Sequence, residues 1–202
     1  MQDPQYEILE IATGYAGFFR LLRYRLRHRL FNGGWSPVLT RELFERGHAA
    51  AALPYDPETD QVVLTEQFRI GALQAPGGPW LLEIVAGIIE VGEAPEAVVR
   101  REAIEEIGCA IGELVPICDY YVSPGGTSER MHLFCGRVDA SQAGGVHGAA
   151  DEGEDIRVVV MPAADAISHM QAGKIVSAAP IIALQWFMMH RASLREHWRR
   201  VC

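Results

Sequence analysis

The segment Pro95–Ile107 constrains this chain more than any other. Pro95 suits a first helical position and Gly108 suits the residue just past a last turn, so the spacing predicts a helix with both ends marked. At 100° per residue, Ala97, Ala103, Ile104 and Ile107 fall on one arc. Glu102, Glu105 and Glu106 fall on the opposite side, within about 100° of one another. Glu102 and Glu106 stand one turn apart. Like charges at that spacing cost a bare helix roughly a few tenths of a kcal/mol. They also sit in the C-terminal half, where the helix dipole disfavours anions. Arg101, one turn before Glu105, neutralises that carboxylate. Glu102 and Glu106 are left needing a cation, and hard oxygen donors converging in this way suit Mg²⁺ or Mn²⁺. Arg100 falls inside the apolar arc and finds no place on the wheel. Taken alone, three acids on a helix read as a solvated surface, so the flanks must decide.

The rest of the chain sets the frame. With 202 residues it has the length of one ordinary domain, or of a domain with a small appendage. Such a chain buries roughly 70% of its unfolded surface and needs no disulfide or metal to hold a core. The formal charge of −8 repels nucleic acid and anionic membranes. A phosphate substrate would therefore require local cations or metal. Cys109, Cys118, Cys135 and Cys202 form no CxxC pair, which argues against a zinc ribbon or redox dithiol and for reduced thiols. The first residues lack the basic start and apolar run of a signal peptide. The late apolar stretch Ile175–Met189 carries Pro180 and Gln185 and is too short to span a bilayer. The chain reads as a soluble, cytoplasmic protein with no nucleic-acid or membrane partner.

Residues 1–46 differ in character from residues 47–202. Arg23, Arg25, Arg27 and Arg29 alternate with Tyr24, Leu26, His28 and Leu30, the period of a strand with arginines on one face. Tyr6–Ile11 and Val38–Phe44 read as two further strands, and Asn32-Gly33-Gly34 as a turn. This predicts a small three-stranded antiparallel sheet, which is barely stable alone and must pack on the main body or on a second subunit. The arginine stripe reads first as a solvated or salt-bridged face. Beyond it, strands are expected at Ala49–Pro54, Gln61–Ile70, Leu81–Ala86, Ile117–Val122, Met131–Val138 and Ile156–Met161. Helices are expected at Pro162–Gln171 and about Ile181–His197. Strands and helices mix without regular βαβ alternation, which favours an α+β or α/β/α sandwich.

The flanks of the acidic helix resolve its meaning. Gly87-Ile-Ile-Glu-Val-Gly-Glu93 precedes it by one short turn, and Arg101-Glu102-Ala-Ile-Glu105-Glu106-Ile-Gly108-Cys109 completes the run. This resembles the Nudix box, G-x5-E-x7-R-E-U-x-E-E-x-G-U, with U an apolar residue. Gly87, Glu93, Arg101, Glu102, Glu105, Glu106 and Gly108 fill every fixed position, while Ala103 and Cys109 are small at U positions. From typical residue usage, chance would give such a match with a probability on the order of 10⁻⁶. The resemblance implies an α/β/α sandwich around a mixed sheet, and metal-assisted hydrolysis of a nucleoside diphosphate linked to another group.

Tyr24–Asn32, Arg41–Ala50, Ser123–Arg130 and Asp151–Arg157 extend the likeness over nearly the whole chain. Pro124 lies fifteen residues past Cys109. Together these are similar to the bacterial ADP-ribose pyrophosphatases within the Nudix family, homodimers that exchange their N-terminal sheets. That resemblance implies Mg²⁺ or Mn²⁺, two or three ions per site, held by the Ala86 carbonyl and by Glu102, Glu106 and Glu154. It implies Glu152 as general base, with Glu105 supporting the metal-bearing residues through Arg101. It implies substrate contacts from Arg41, Glu42, Arg46, Arg69, Ile88, Ser123, Pro124, Gly125 and Glu129, with Phe18 and Phe19 of the partner subunit flanking the adenine. From the residues alone, any carboxylate of the glycine-flanked run Asp151, Glu152, Glu154 and Asp155 could face the water. The alternatives are another nucleotide sugar such as GDP-mannose, or a non-catalytic nucleotide sensor. The latter would ordinarily have lost box glutamates, and this chain keeps them all.

Overall fold

The structure is a computed structural model that describes residues 4–149 and 153–200. The chain forms two compact units, one of residues 1–48 with 120–131 and one of residues 49–119 with 132–202.

In the first unit β1 (Tyr6–Ala16), β2 (Arg20–His28) and β3 (Leu39–Glu45) form an antiparallel sheet in the order β1-β2-β3. β1 runs five residues beyond the expected Ile11, carried by register shifts between Ile8 and Glu10 and between Thr13 and Tyr15. The arginine stripe is largely partnered across the sheet. Arg25 lies opposite Glu10 and pairs with it at 3.1 Å, and Arg27 lies opposite Glu7 and pairs at 2.6 Å. The Arg27 and Arg29 guanidinium groups also stack over Trp35, at 4.9 and 4.4 Å. Gly33 and Gly34 take φ of +86° and +80° in the expected turn. The segment 120–131 joins this unit through the Phe44 amide, which donates to the Gly126 carbonyl at 2.8 Å, and through Ser128 Oγ, which donates to Glu45 at 2.8 Å. The sheet leaves Tyr6, Ile8, Leu9, Ile11 and Tyr15 exposed.

The second unit follows as β4 (Ala49–Asp56), β5 (Gln61–Phe68), β6 (Trp80–Glu83), β7 (Val85–Ile88) and α1 (Pro95–Ile107). Then come β8 (Leu114–Tyr121), β9 (Arg130–Arg137), β10 (Val146–His147), β11 (Ile156–Pro162), α2 (Ala163–Gln171) and α3 (Ala178–Arg200). The main path of its mixed sheet is β10-β11-β5-β4-β9-β8. Helices cover both faces. Ala50, Ala52, Val63 and Val85 pack under α1 through Val98, Val99, Ala103 and Ile107. On the other face the Tyr55 ring meets Phe187 and Trp198 of α3, with centroids 4.7 and 6.2 Å apart. The expected sandwich is therefore present. Among the described residues no helix is long and apolar enough to cross a membrane.

Two expectations need correction. Leu81–Ala86 is not one strand. The paired residues of β4 and β5 are Tyr55–Val62 and Asp56–Gln61, beside the turn, and beyond them the strands take other neighbours. The chain enters there and changes partner at the buried Ile84: β6 pairs with β5 and β7 with β4. The second correction is the wheel. The buried face of α1 is Val98, Val99, Ala103, Glu106 and Ile107, while Ile104 is 53% exposed. Adjacent valines, Val98 and Val99, rotate the contact stripe toward β4 and β7, and that rotation carries Glu106 inward. Arg100 lies outside the stripe, where its guanidinium donates to the Ile111 and Gly112 carbonyls.

The ends of α1 are as expected. Gly108 has φ +66°, the Cys109 amide reaches back to the Ala103 carbonyl at 3.3 Å and the Gly108 amide to Ile104 at 3.2 Å. At the start, Ala94 has the extended conformation of a cap (φ −80°, ψ 142°) but no side chain to cap with. Ala94→Ser should therefore stabilise the protein by ~1 kcal/mol, a rise of about 2–4 °C in midpoint by calorimetry.

Candidate active site

The second unit gathers its carboxylates where α1 crosses β7. Gly87 permits the crossing: a Cβ there would lie 1.9 Å from Glu102 Oε1. One residue earlier, the Ala86 amide donates to Glu106 Oε2 at 3.1 Å. Glu106 is only 3% exposed. Burial pushes its carboxyl up to about 8; the Ala86 amide opposes the shift, Glu102 and Glu154 add to it by repulsion, and Arg69 pulls against it. Glu102 is also raised, first by burial, against the pull of Arg101 and with repulsion from Glu105 and Glu154. Glu154 is thus within electrostatic reach of both, while its own Oε2 accepts the Ala149 amide at 3.1 Å. Asp151 and Glu152, including the expected general base, lie outside the described residues.

Arg101 serves more carboxylates than the expected one. It pairs with Glu102 at 2.7 Å, Glu105 at 3.2 Å and Glu93 at 3.3 Å. The expectation that both Glu102 and Glu106 lack a cation therefore fails for Glu102, while Glu106 makes no ion pair among the described residues and feels only the charge of Arg69. The physical reason is reach: the Arg101 guanidinium lies among Glu93, Glu102 and Glu105, and Glu106 is on the buried stripe of the helix. Glu93 is held below the usual carboxylate range, chiefly by Arg101. Glu105 is half exposed, and its backbone carbonyl accepts the Gly148 amide at 3.3 Å.

Among the described residues no three His, Cys, Asp or Glu side chains are gathered closely enough to enclose a metal ion by themselves. The donor chemistry nevertheless fits a hard divalent cation. Two neighbouring carboxylates have their ionisation disfavoured by burial and by repulsion from nearby acids, a third is within reach, and glycine leaves room for the Glu102 carboxylate over the strand. Backbone carbonyls and water would complete such a shell. Arg69, at the end of β5, donates from Nε to Glu83 at 2.7 Å. Ile88 ends β7 beside Gly87 and is exposed.

The first unit holds the other expected residues. Phe18, 87% exposed, packs edge-on against Phe19 at 4.7 Å, and Phe19 against Phe44 at 5.1 Å. The Arg46 guanidinium lies 5.3 Å over the Phe19 ring and 3.6 Å from the buried Glu129. The Ser123 carbonyl closes the Pro124-Gly125 turn by accepting the Gly126 and Thr127 amides. These residues form one cluster. Arg41 and Glu42 lie further along β3, exposed, with Arg41 turned to the Thr40 carbonyl and Glu42 opposite Arg23. Phe44 and Glu83 carry no signal in the sequence, where one is an aromatic in a short strand and the other an acid inside an apolar run.

In metal-free protein, the raised Glu106 carboxyl binds more protons folded than unfolded between its ordinary value of 4.5 and about 8. Its stabilising contribution is thus full below pH 4.5 and is lost as pH rises toward 8. Denaturation in EDTA should show stability falling across that window. Glu106→Gln should flatten the slope, and Mg²⁺ should raise the midpoint of wild type more at pH 8 than at pH 5. A slope identical in both proteins would contradict the burial of this charge.

Comparison with known proteins adds three findings. A family model described as the NUDIX domain matches residues 45–185. The chain is 53% identical over 192 residues to an ADP-ribose pyrophosphatase of Escherichia coli (strain K12), covering 95% of this chain and 92% of the relative. It is 47% identical to the Haemophilus influenzae ADP-ribose pyrophosphatase, covering 96% and 91%, and 37% identical to a GDP-mannose pyrophosphatase of Pectobacterium atrosepticum, covering 83% and 86%. A crystal structure of an ADP compounds hydrolase superposes with a TM-score of 0.71 at 20% identity, covering 95% of this chain and 97% of that one, which is a likeness of fold.

Proposed function

The chain belongs to the Nudix family, and from that premise we propose that it hydrolyses the diphosphate bond of ADP-ribose, releasing AMP and ribose 5-phosphate. It is a hydrolase of phosphoanhydride bonds. The observation that carries the reading is the neighbouring Glu102 and Glu106 carboxylates of α1, the second of them buried and, among the described residues, in no ion pair.

Glu102, Glu106 and Glu154, with the Ala86 carbonyl, hold the divalent ions in this reading, two or three to a site. Mg²⁺ or Mn²⁺ bound there supplies charge neutralisation of the diphosphate and a more acidic water. Arg101 keeps Glu102 in place and ties it to Glu93 and Glu105. Glu152 accepts the proton of the attacking water. A bond forms from the water oxygen to one phosphorus, the bridging P–O bond breaks, and the other phosphate leaves. Arg69 presents a fork suited to bidentate phosphate binding. In this reading Ser123, Pro124, Gly125, Glu129, Arg46, Arg41, Glu42 and Ile88 are substrate contacts, and the partner subunit's Phe18 and Phe19 flank the adenine.

The exchange of the N-terminal sheet between two copies is part of the same proposal. It is supported by the apolar residues that the sheet leaves exposed, from Tyr6 to Tyr15, and by the exposed ring of Phe18. A cytoplasmic location is supported by the free thiols of Cys109, Cys118 and Cys135.

A panel of nucleotide sugars with Mg²⁺ and identification of products tests the substrate. The 37% identical GDP-mannose pyrophosphatase makes GDP-mannose the specific rival. ADP-ribose should be cleaved to AMP at the highest kcat/KM, and preferential release of GMP from GDP-mannose would replace the reading. Glu152→Gln should lose turnover by roughly 10²–10⁴-fold with substrate affinity retained, the range for a positioned general base. Loss of affinity with turnover kept would move the base to another carboxylate. Deletion of residues 1–45 should abolish dimer and activity together in sedimentation and product assays; a fully active monomer would refute the exchanged sheet.

A further inference from the structure

The ion pair between Arg69 and Glu83 has a geometry that the reaction can use. Alternate residues of a strand share a face. Val63 of β5 packs against α1, so Thr65 and Gln67 continue on that side. Arg69 follows with extended backbone, φ −125° and ψ 111°, and so keeps the alternation past the end of the strand. Glu83 of β6 lies opposite Thr65 and two residues before Val85, which also packs under α1. Both members of the pair therefore stand on the face where α1 presents Glu102 and Glu106. The positive charge of Arg69 is felt at Glu106 itself.

The contact is specific in its atoms. Glu83 Oε2 accepts from Arg69 Nε at 2.7 Å, and among the described residues the Arg69 side chain makes no other hydrogen bond. A guanidinium is planar, so a partner at Nε fixes the direction of the edge carrying the two terminal nitrogens. Glu83 is enclosed, with its side chain 13% exposed, while Arg69 is 44% exposed. The anchor is thus sheltered and the fork is open. That is the arrangement wanted for gripping a ligand, and a poor one for stabilising the fold, since pairs with one solvated member contribute little.

We propose that Glu83 is a positioning residue: it holds Arg69 by Nε so that the free edge of the guanidinium faces the substrate diphosphate. This rests on the reading of Arg69 as a phosphate ligand. The test is a double-mutant cycle of Glu83→Ala and Arg69→Ala, with Glu83→Gln as the variant that keeps an acceptor oxygen and loses the charge. KM and kcat are measured on ADP-ribose, and Kd on its methylene-bridged, non-cleavable analogue. Glu83→Ala should raise KM and Kd about tenfold and change kcat by less than about twofold, the signature of lost ground-state binding. Glu83→Gln should recover part of the loss, and adding Glu83→Ala to Arg69→Ala should do no further harm.

The proposal is overturned if Glu83→Ala binds the analogue as wild type does, whatever its melting point. It is overturned equally if its effect adds in full to that of Arg69→Ala, or if Arg69→Ala itself leaves Kd unchanged. Absence of ADP-ribose turnover in wild type would instead refute the assigned substrate. The analogue affinities still decide the role of Glu83 in that case, and a wild type that does not bind the analogue fails both.

Discussion

The buried carboxylate of Glu106 is the constraint around which the second unit is arranged. An acid placed under a helix is expensive unless something balances it. The sheet offers one partial balance, the Ala86 amide, and offers it because the chain changes strands at Ile84. Had residues 80–88 run on as one strand along β5, Ala86 would not lie against β4, and no backbone donor would be placed beneath the last turn of α1. The change of partner is in turn possible because β4 and β5 pair only beside their turn. The route from sheet topology to site chemistry is therefore short: diverging strands, an inserted segment, one amide and one carboxylate.

Glycine at two positions makes this packing feasible. At Gly87 the requirement is space, since the Glu102 carboxylate occupies the volume of a Cβ. At Gly108 it is conformation and space together: the left-handed cap ends the helix one residue after the buried Ile107, and a Cβ there would lie 2.7 Å from His147 Cε1. The box pattern fixes these glycines for different reasons, and the structure separates them.

Much of this could be read in advance because the features involved are local. The ends of α1, the turn at Gly33-Gly34 and the period-two arginines of β2 depend on near neighbours in the chain, and they appear where expected. What escaped depends on distant partners. The wheel for α1 was drawn through Ala97 and Ile104, because nothing in the sequence says that the helix faces two strands at once and buries Val98 and Val99 together. The same blind spot puts Glu106 on the face opposite the apolar arc, although it is buried. The strand break at Ile84 is invisible for a similar reason: Leu81–Ala86 is apolar apart from Glu83, and apolarity does not record which neighbour a strand has chosen. Glu83 belongs to this class, since its meaning comes entirely from Arg69, fourteen residues away and just past the end of β5.

Charge placement around α1 explains why a helix so rich in acid can form before any cation arrives. Arg101 lies within reach of Glu93, Glu102 and Glu105, so one positive charge is shared among three carboxylates at the surface of the helix. Pro95 and the Gly108 cap supply local order at the two ends. Glu106 is excluded from that sharing by its position on the buried stripe, and protonation is the means left to it at neutral pH. In the proposed reading a divalent cation held at this carboxylate would compete with that proton. If Glu106 holds a metal as proposed, it would do so ionised, and metal affinity would then rise with pH as the proton is displaced. The feature that weakens the metal-free fold is thus the same one that creates a demand for the metal, and it lies in the orientation of a single turn of helix.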